Sequence, residues 1–330
     1  MGKPKILIIS TGGTISSKYT KNQGYSPALT ITEILSNFTN LEEIAEIETI
    51  QFCNVLSFEL NPQNIFEIVN VAKEKLEKDS FDGIVVTLGT AAIEEASYLS
   101  DLLWDIKDPI VFTGAMLNAS EREWDGPKNV FHSILVAASK LAKNKGAMVC
   151  MAGEIHAARD VVKIHKTRLN AFVSLSSGPL GFVLDNERVI FYRAPLLRKT
   201  FNVHKLETDI EIIKIGIGTS SRILDFLITN NTKAIILEAL PGGGGVTPEI
   251  IESIKNTRSK DTIFILTSRS PLGSAISQAG GGCGPADLFK LGIINGGDLT
   301  SVKIRILLTV ILSLTKSKSE IRGIIYNVTP

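Results

Sequence analysis

A cluster of hydroxyl groups and glycines follows the first apolar run of the chain. The hydroxyls surround Gly12-Gly13 and belong to Thr11, Thr14, Ser16 and Ser17. Glycine has no Cβ, so the backbone here can approach a ligand closely. A hydroxyl becomes an effective nucleophile when a base lies beside it. The segment therefore indicates either nucleophilic chemistry at one of these hydroxyls or a turn that its own hydroxyls cap.

The same glycines invite a nucleotide-binding interpretation, which the spacing does not favour. Gly12-Gly13 does not make the pattern G-x-G-x-x-G, and G-x-x-x-x-G-K-[ST] does not occur in the chain. We therefore expect a site for a small molecule rather than for a dinucleotide or a triphosphate.

Two further apolar runs end in small polar residues. The run that starts at Gly83 leads into T-L-G-T-A-A at 87–92, and the run that starts at Pro109 leads into T-G-A-M at 113–116. In open α/β sheets, ligands bind beyond the carboxyl ends of the strands. We therefore expect the functional residues to lie in these turns and in the turn that contains Thr14.

The elements that must position these turns are visible as short β-branched runs alternating with amphipathic stretches. This alternation is typical of a largely parallel sheet flanked by helices. In the first half of the chain it predicts strands at 6–10, 83–87, 109–113 and 147–152. It predicts helices at 62–78, 92–103 and 130–143.

A second alternation begins after a polar stretch without periodicity at residues 200–209. It predicts strands at 212–217, 234–237 and 263–267 and helices at 248–254 and 301–314. The fold class predicted is α/β, with a larger N-terminal, mostly parallel sheet flanked by helices and a smaller C-terminal α/β domain. We place the first domain at 1–195, a linker at 196–210 and the second domain at 211–330.

Five residues spread along the chain resemble the L-asparaginase and glutaminase family of amidohydrolases. They are Thr14, Tyr25, Ser57, Thr90 and Lys163. The strings that match the family in order include T-G-G-T-I at 11–15, G-Y-S-P at 24–27, D-G-P-K-N at 125–129, R-D-V-V-K at 159–163 and G-D-L-T at 297–300. Each string is short, but their order along nearly the whole chain is specific.

The resemblance implies catalytic roles for four residues. Thr14 matches the nucleophile, which forms a covalent ester with the substrate, and Tyr25 matches a tyrosine of a mobile loop that hydrogen-bonds to it. Thr90 and Lys163 match a threonine and a lysine that work together in proton transfer. A lysine enclosed in an apolar site loses its proton more easily, which suits it to this role.

The resemblance also places Ser57, Phe58, Glu59, Gly89 and Ala91 at the substrate. The family's string H-G-T-D-T is L-G-T-A-A here, so Ala91 replaces an aspartate that binds the substrate's α-ammonium and orients the lysine. Burying an ammonium without an anionic partner costs on the order of several kcal/mol. We therefore expect a carboxamide or lactam substrate without a free α-amino group.

Loss of the aspartate also weakens the relay of Thr90 and Lys163, and removing one member of such a unit can nearly silence an enzyme. Glu59, His165 and Lys166 lie in or beside the matched strings and are candidates to replace it. The leading hypothesis is a threonine amidohydrolase. The alternatives are a catalytically silent binding protein of the same fold and a conventional L-asparaginase with an altered ammonium site.

Composition narrows the partners and the compartment. Lysine plus arginine (35) nearly cancels aspartate plus glutamate (34) in 330 residues, which favours a small-molecule partner over nucleic acid or a membrane surface. Three scattered cysteines without C-x-x-C indicate a reducing, cytoplasmic compartment. The histidines show no metal-ligand spacing, so no metal or cofactor is expected. The family resemblance implies a homodimer or a tetramer built from dimers.

Overall fold

The computed structural model of the chain describes residues 2–22, 24–38, 41–257, 261–275 and 278–329. The chain divides into two compact units, Met1–Thr200 and Phe201–Pro330. Each unit has its own main sheet, and the first unit also has two small two-stranded sheets. Between Thr200 and Ile210 the chain contains no helix or strand, and every residue of that stretch is described.

The strands of the first unit are, in chain order, β1 (Lys5–Gly12), β2 (Ser17–Thr20), β3 (Gly24–Pro27), β4 (Glu46–Val55), β5 (Gly83–Thr87), β6 (Ile110–Thr113), β7 (Ala147–Met151), β8 (Glu154–Ala157), β9 (Val162–Lys163), β10 (Phe172–Val173), β11 (Gly181–Val183) and β12 (Val189–Phe191). Its helices are α1 (Ile31–Leu35), α2 (Leu41–Ile44), α3 (Pro62–Asp79), α4 (Ile93–Leu103) and α5 (Gly126–Ala138). Single 3₁₀ turns occupy Thr14–Ser16, Ser57–Glu59 and Lys140–Ala142.

Among the described residues, eight of these strands form one mixed sheet in the order β4-β1-β5-β6-β7-β8-β11-β12. The pairs from β4 to β7 are parallel, and the remaining pairs are antiparallel. The chain runs from β1 to β4 on one side and then returns to β5 on the other. Such a reversal of strand order leaves a crevice at the carboxyl ends of the two strands that flank it. Thr14 follows β1 and Thr90 follows β5, so both residues lie at this crevice.

The core of the first unit lies on the faces of this sheet. The strands β5 and β6 are buried at every position, as parallel strands covered by helices must be. Ile8, Val85, Val111, Ile134 and Met148 belong to one buried apolar cluster. These contacts fix the strand ends from which the turns of the crevice extend.

The helix predicted at 130–143 is wrong at both ends. Helix α5 begins at Gly126, with Pro127 in its first turn, a position where proline's missing N–H costs nothing. It ends at Ala138 because Ser139 is extended (φ −77°, ψ 127°) and its Oγ accepts a hydrogen bond from Leu141 N, which starts the separate turn Lys140–Ala142.

The second unit is a parallel sheet with helices. Its strands are β13 (Ile210–Lys214), β14 (Ala234–Ala239), β15 (Ile263–Ser268) and β16 (Ile294–Asn295), and they pair in that order. Its helices are α6 (Arg222–Thr229), α7 (Pro248–Asn256), α8 (Pro285–Lys290), α9 (Ser301–Ile311) and α10 (Lys318–Val328).

Two predicted boundaries in this unit are corrected. The strand predicted at 212–217 ends at Lys214, because Gly216 and Gly218 lead the chain through a turn in which Gly218 has φ +73°. The helix predicted at 301–314 ends at Ile311. The predicted fold class, a larger N-terminal sheet flanked by helices followed by a smaller C-terminal α/β domain, is confirmed. No helix within the described ranges has the length and apolar character needed to cross a membrane.

Candidate active site

The turn after β1 is built on two glycines in the left-handed region. Gly12 and Gly13 have φ values of +96° and +85°, which residues with a Cβ rarely adopt. The amide of Gly13 donates to the carbonyl of Val55 (2.8 Å), which ties the turn to the end of β4. The chain then enters the 3₁₀ turn that begins with Thr14.

The hydroxyls of this turn have different roles. Those of Ser16 and Ser17 donate to the carbonyl of Gly13 (3.1 and 2.8 Å), and that of Thr11 donates to the carbonyl of Thr87 (3.1 Å). All three of these residues are fully buried, whereas Thr14 is half-buried. Three hydroxyls therefore hold the turn, and Thr14 is the one presented at its surface.

Two more turns approach this one closely. A Cβ placed on Gly89 would lie 2.5 Å from the Ser57 Oγ and 3.2 Å from the Cα of Gly13. Ser57, at the start of the turn after β4, is buried. The structure thus brings together the turns that contain Thr14, Ser57 and Gly89-Thr90. The sequence predicted the first and third of these turns at one edge of the sheet, and Ser57 was expected at the substrate from the family resemblance.

Thr90 and Lys163 form a direct contact. The Lys163 ammonium donates to the Thr90 Oγ1 over 2.7 Å. Thr90 is only 6% exposed, and Lys163 is half-buried with its Nζ 5.8 Å from the centre of the Phe172 ring. Burial lowers the pKa of Lys163, because desolvation disfavours the charged form. A lysine with a lowered pKa in contact with a hydroxyl can exchange a proton with it.

The segment that precedes Lys163 is held by a polar network. The Asp160 carboxylate accepts hydrogen bonds from Ser177 Oγ (2.7 Å) and Arg193 Nη2 (3.4 Å), and it pairs with Arg159 Nη1 (3.2 Å). Arg193 Nη2 also donates to Ser177 Oγ (2.7 Å). Such networks make a local conformation rigid when their polar groups are satisfied. This network fixes the approach of the chain to the short strand β9.

Tyr25 lies in the β2–β3 hairpin beside the Thr14 turn. The amides of Ala28 and Leu29, which follow β3, both donate to the carbonyl of Ser16 (2.8 and 2.9 Å). The Tyr25 ring is 54% exposed and packs edge-on against Tyr19, with 5.3 Å between ring centres. The hairpin therefore lies close to Thr14, with the tyrosine ring largely in solvent.

The other residues predicted to contact substrate lie on the same turns. Phe58 is 77% exposed and Ala91 is exposed, so both present apolar groups to solvent beside Ser57 and Thr90. The Glu59 carboxylate accepts a hydrogen bond from Leu56 N (2.9 Å) and so caps its own turn.

The candidates to replace the aspartate that the family resemblance predicts at Ala91 have other partners or lie in solvent. The carboxylate of Glu59 caps its turn, as described. His165 Nδ1 accepts hydrogen bonds from Thr167 N (3.1 Å) and Arg168 N (3.0 Å), so its ring holds a turn beyond β9. Lys166 is exposed.

Sequence reasoning missed residues that support the site. The Asp125 carboxylate accepts hydrogen bonds from Met116 N (3.1 Å) and Leu117 N (2.9 Å) and thereby holds the turn after β6. Asn129 Nδ2 donates to the carbonyl of Gly114 (3.0 Å) and to Asp125 (2.9 Å). The string D-G-P-K-N at 125–129 contains both residues, so it is the sequence signal for this support. Glu94 is a further missed residue, and its Oε2 accepts a hydrogen bond from the Lys163 backbone (3.4 Å).

The chain consists of two α/β units, and the first presents threonine hydroxyls at the switch point of its sheet. These features define its class as a two-unit α/β protein with a hydroxyl-rich candidate active site. Comparison with known families makes the assignment specific. Residues 5–197 match the family model for the N-terminal part of asparaginase, and residues 209–325 match the glutaminase/asparaginase C-terminal domain. The chain belongs to the asparaginase and glutaminase family of amidohydrolases.

Individual relatives agree with this assignment over most of their length. The probable periplasmic L-asparaginase of Haemophilus influenzae is 30% identical, over 97% of this chain and 91% of that protein. L-asparaginase 2 of Escherichia coli is 29% identical, over 97% of this chain and 92% of that protein. The crystal structure of a probable cytoplasmic L-asparaginase from Campylobacter jejuni superposes with a TM-score of 0.86 at 28% identity, over 98% of this chain and 99% of that chain.

Proposed function

We propose that the protein hydrolyses a carboxamide or lactam through an ester on Thr14. The observation that carries this proposal is the 2.7 Å contact between Lys163 Nζ and Thr90 Oγ1, at a lysine whose pKa is lowered by burial. A threonine hydroxyl needs a nearby base to attack an amide. A neutral lysine bonded to a second hydroxyl supplies that base.

In the acylation step the Thr14 Oγ1 bonds to the amide carbon. Its proton passes through the Thr90–Lys163 pair to the leaving nitrogen, and the C–N bond breaks. A carboxamide releases ammonia, and a lactam opens to an amine that stays attached to the acyl group. In the second step water adds to the ester carbon, its proton returns to the Thr14 oxygen, and the acid is released.

Apolar groups around the site support a substrate without a free α-amino group. The exposed Ala91 methyl lies next to Thr90, and the exposed Phe58 ring follows Ser57. Neither side chain can pair with an ammonium, and an ammonium buried beside them without an anionic partner would be costly. Ser57 Oγ and the backbone near Gly89 remain available to hold a substrate carboxylate. N-acylated asparagine and succinamate have these properties.

Free asparagine is the second candidate substrate, because the three relatives compared above are described as L-asparaginases or probable L-asparaginases. A catalytically silent binding protein is a third possibility, and the Thr90–Lys163 contact argues against it. The three candidates differ in what a purified sample turns over.

The test is an amide panel with ammonia release and ring opening as the readouts. The panel contains asparagine, glutamine, N-acylated asparagine, succinamate and lactams. We expect turnover of a substrate without a free α-amino group and at least about a 1,000-fold loss of kcat in Thr14→Ala. We expect Thr11→Ala, which removes a buried hydroxyl that holds the turn, to lower kcat far less than Thr14→Ala does in a folded sample. No turnover by the wild type would favour a binding protein, and full activity of Thr14→Ala would exclude Thr14 as the nucleophile.

A cytoplasmic location and a homo-oligomeric assembly are also part of the proposal. The thiols of Cys53, Cys150 and Cys283 are unpaired, which suits a reducing compartment. The names of the relatives do not decide the compartment, since one is described as periplasmic and another as cytoplasmic. Light scattering on the eluting peak of a sizing column distinguishes a monomer from the proposed dimer or tetramer.

A further inference from the structure

A single short segment contacts Lys163 at two points. Thr90 Oγ1 accepts a hydrogen bond from the Lys163 ammonium (2.7 Å), and Glu94 Oε2 accepts one from the Lys163 backbone N–H (3.4 Å). Thr90 and Glu94 are separated by four positions and flank the start of α4. Ala91, which lies between them, has no polar side chain. Glu94 therefore brings a carboxylate to Lys163 from the segment in which Ala91 brings none.

The position of Glu94 favours an ionised side chain. The residue lies in the first turn of α4, where the helix dipole is positive and where Ala92, at the N-cap, supplies no side-chain hydrogen bond. A hydrogen bond from a backbone N–H to an ionised carboxylate is stronger than one between neutral groups. The contact with Lys163 is also partly buried, so solvent screens it less than a surface contact.

The backbone of Lys163 needs such a contact. Lys163 belongs to the two-residue strand β9, which pairs with the equally short β10 through Phe172. The adjacent Ile164 N donates to the carbonyl of Ala171 (2.8 Å). A lysine side chain has four rotatable carbon–carbon bonds, so its ammonium is placed accurately only if its backbone is fixed. The Glu94 contact joins this hairpin to the helix that follows Thr90.

We infer that Glu94 is a positioning residue of the proposed site. Its carboxylate holds the Lys163 backbone so that the ammonium reaches the Thr90 hydroxyl. Ala91 has no polar group that could position Lys163, and Glu94 supplies part of that positioning. This inference rests on the function proposed above for the catalytic roles of Thr90 and Lys163. The contact with Lys163 can still be tested without any turnover.

The first experiment measures how accessible Lys163 is to a small reagent. Native protein is reductively methylated with formaldehyde and borohydride, and the rate at each lysine is followed by peptide mass spectrometry. In Glu94→Ala we expect Lys163 to be labelled about tenfold faster than in the wild type, the effect of one lost charge-assisted hydrogen bond. The exposed Lys166 provides an internal reference. Wild-type labelling of Lys163 in Glu94→Ala would overturn the inference.

Two matched variants separate positioning from general stabilisation of α4. Glu95→Ala removes a carboxylate from the same first turn, so it controls for the loss of charge at the helix terminus. We expect Lys163 labelling in Glu95→Ala to match the wild type. Glu94→Gln keeps an oxygen that can accept the Lys163 N–H, and we expect it to recover most of the protection lost in Glu94→Ala. If Lys163 is labelled as fast in Glu94→Gln as in Glu94→Ala, the hydrogen bond to its backbone is not what protects it.

Kinetics then test the link to catalysis on a substrate from the amide panel. We expect Glu94→Ala to lower kcat about tenfold with little change in KM, and Glu94→Gln to restore most of kcat. An unchanged kcat in Glu94→Ala would overturn the positioning role. If the wild type turns over no amide, the proposed function fails, and the labelling rates still decide whether Glu94 fixes Lys163.

Discussion

Gly13 and Gly89 lie backbone against backbone at the crevice of the large sheet. A Cβ on Gly13 would overlap the amide nitrogen and the Cα of Gly89, and a Cβ on Gly89 would lie 2.8 Å from the Cβ of Ser57. This approach brings the residues that follow the two glycines, Thr14 and Thr90, to the same site. Side chains larger than hydrogen would force the turns apart.

Gly89→Ala tests this relationship without changing a left-handed backbone. The added methyl would overlap the Ser57 Oγ at 2.5 Å, and overpacking of this kind costs about 1–3 kcal/mol. We expect a loss of that size in the free energy of unfolding, measured in urea, together with a lower kcat. Gly323→Ala is the matched control, because a Cβ there meets nothing within 4 Å and alanine stabilises a helix interior by about 0.5–1 kcal/mol. Wild-type stability and activity in Gly89→Ala would contradict the close approach.

The lowered pKa of Lys163 predicts how turnover depends on pH. Burial lowers its pKa below 10.5, so the neutral amine forms at a lower pH than in a solvated lysine, and we expect kcat to rise as the pH passes through this lowered value. Lys163→Arg keeps a cation that does not lose its proton in this range. We expect at least about a 100-fold loss of kcat and no alkaline rise in this variant. Lys166→Arg is the control, and an identical pH profile in Lys163→Arg would rule out the lysine as the base.

The same shift predicts a contribution to stability. Because the lowered pKa means that the unfolded chain binds this proton more tightly, the charged lysine disfavours folding at any pH below its folded pKa. The penalty decreases as the pH rises through the folded pKa towards 10.5. We expect the difference in unfolding free energy between Lys163→Met and the wild type to change over this window and to be constant below it. A difference that is independent of pH throughout would contradict the shift.

The sequence predicted the buried parallel strands well and the marginal strands poorly. Residues 83–87 are a fully buried strand as predicted. A continuous run of β-branched residues between turns is typical of a parallel strand that is covered on both faces. The edge strand β4 was not predicted, since Glu46, Glu48 and Gln51 interrupt its apolar pattern. The strands β11 and β12, with three residues each, are too short to show any periodicity.

For the site, the residue types were predictable and the contacts were not. Among the four hydroxyls around Gly12-Gly13, the family resemblance favours Thr14. The structure adds that Thr14 is half-buried, whereas the other three are buried and hydrogen-bonded within the turn or to Thr87. Glu94 lies 69 positions before Lys163, and their contact depends on how the β9–β10 hairpin packs beside α4. No local pattern reports such a long-range contact. The catalytic roles of Thr14, Tyr25, Thr90 and Lys163 stay predictions until they are tested.

Replacement of Arg198, which lies far from the crevice, is expected to lower the stability of the protein strongly. Its Nε donates to the buried carboxylate of Asp101 (2.7 Å), and its Nη2 donates to the carbonyl of Trp104. Asp101 also accepts a hydrogen bond from Ala147 N (2.9 Å), so the pair joins the predicted linker to α4 and β7. We expect Arg198→Met to cost about 3 kcal/mol of unfolding free energy, because it leaves a carboxylate buried without its cation.

The double variant Asp101→Asn/Arg198→Met should recover part of that loss, since no charge then remains buried. Lys78→Met breaks the exposed Lys78–Glu74 pair and should leave the midpoint of urea unfolding near that of the wild type. Equal effects of Arg198→Met and Lys78→Met would show that burial of Asp101 does not strengthen its pair.

Ala91→Asp tests the inferred substrate most directly. Asparaginases of the family are expected to carry an aspartate at this position, and a carboxylate there can pair with an α-ammonium. We expect the ratio of kcat/KM for free asparagine to kcat/KM for N-acylated asparagine to rise about tenfold or more, the effect of one charge-assisted hydrogen bond. Ala91→Asn adds a side chain of the same size without the charge and should leave the ratio near that of the wild type. The substrate inference fails if the wild type already prefers free asparagine, and the charge argument fails if Asn and Asp change the ratio equally.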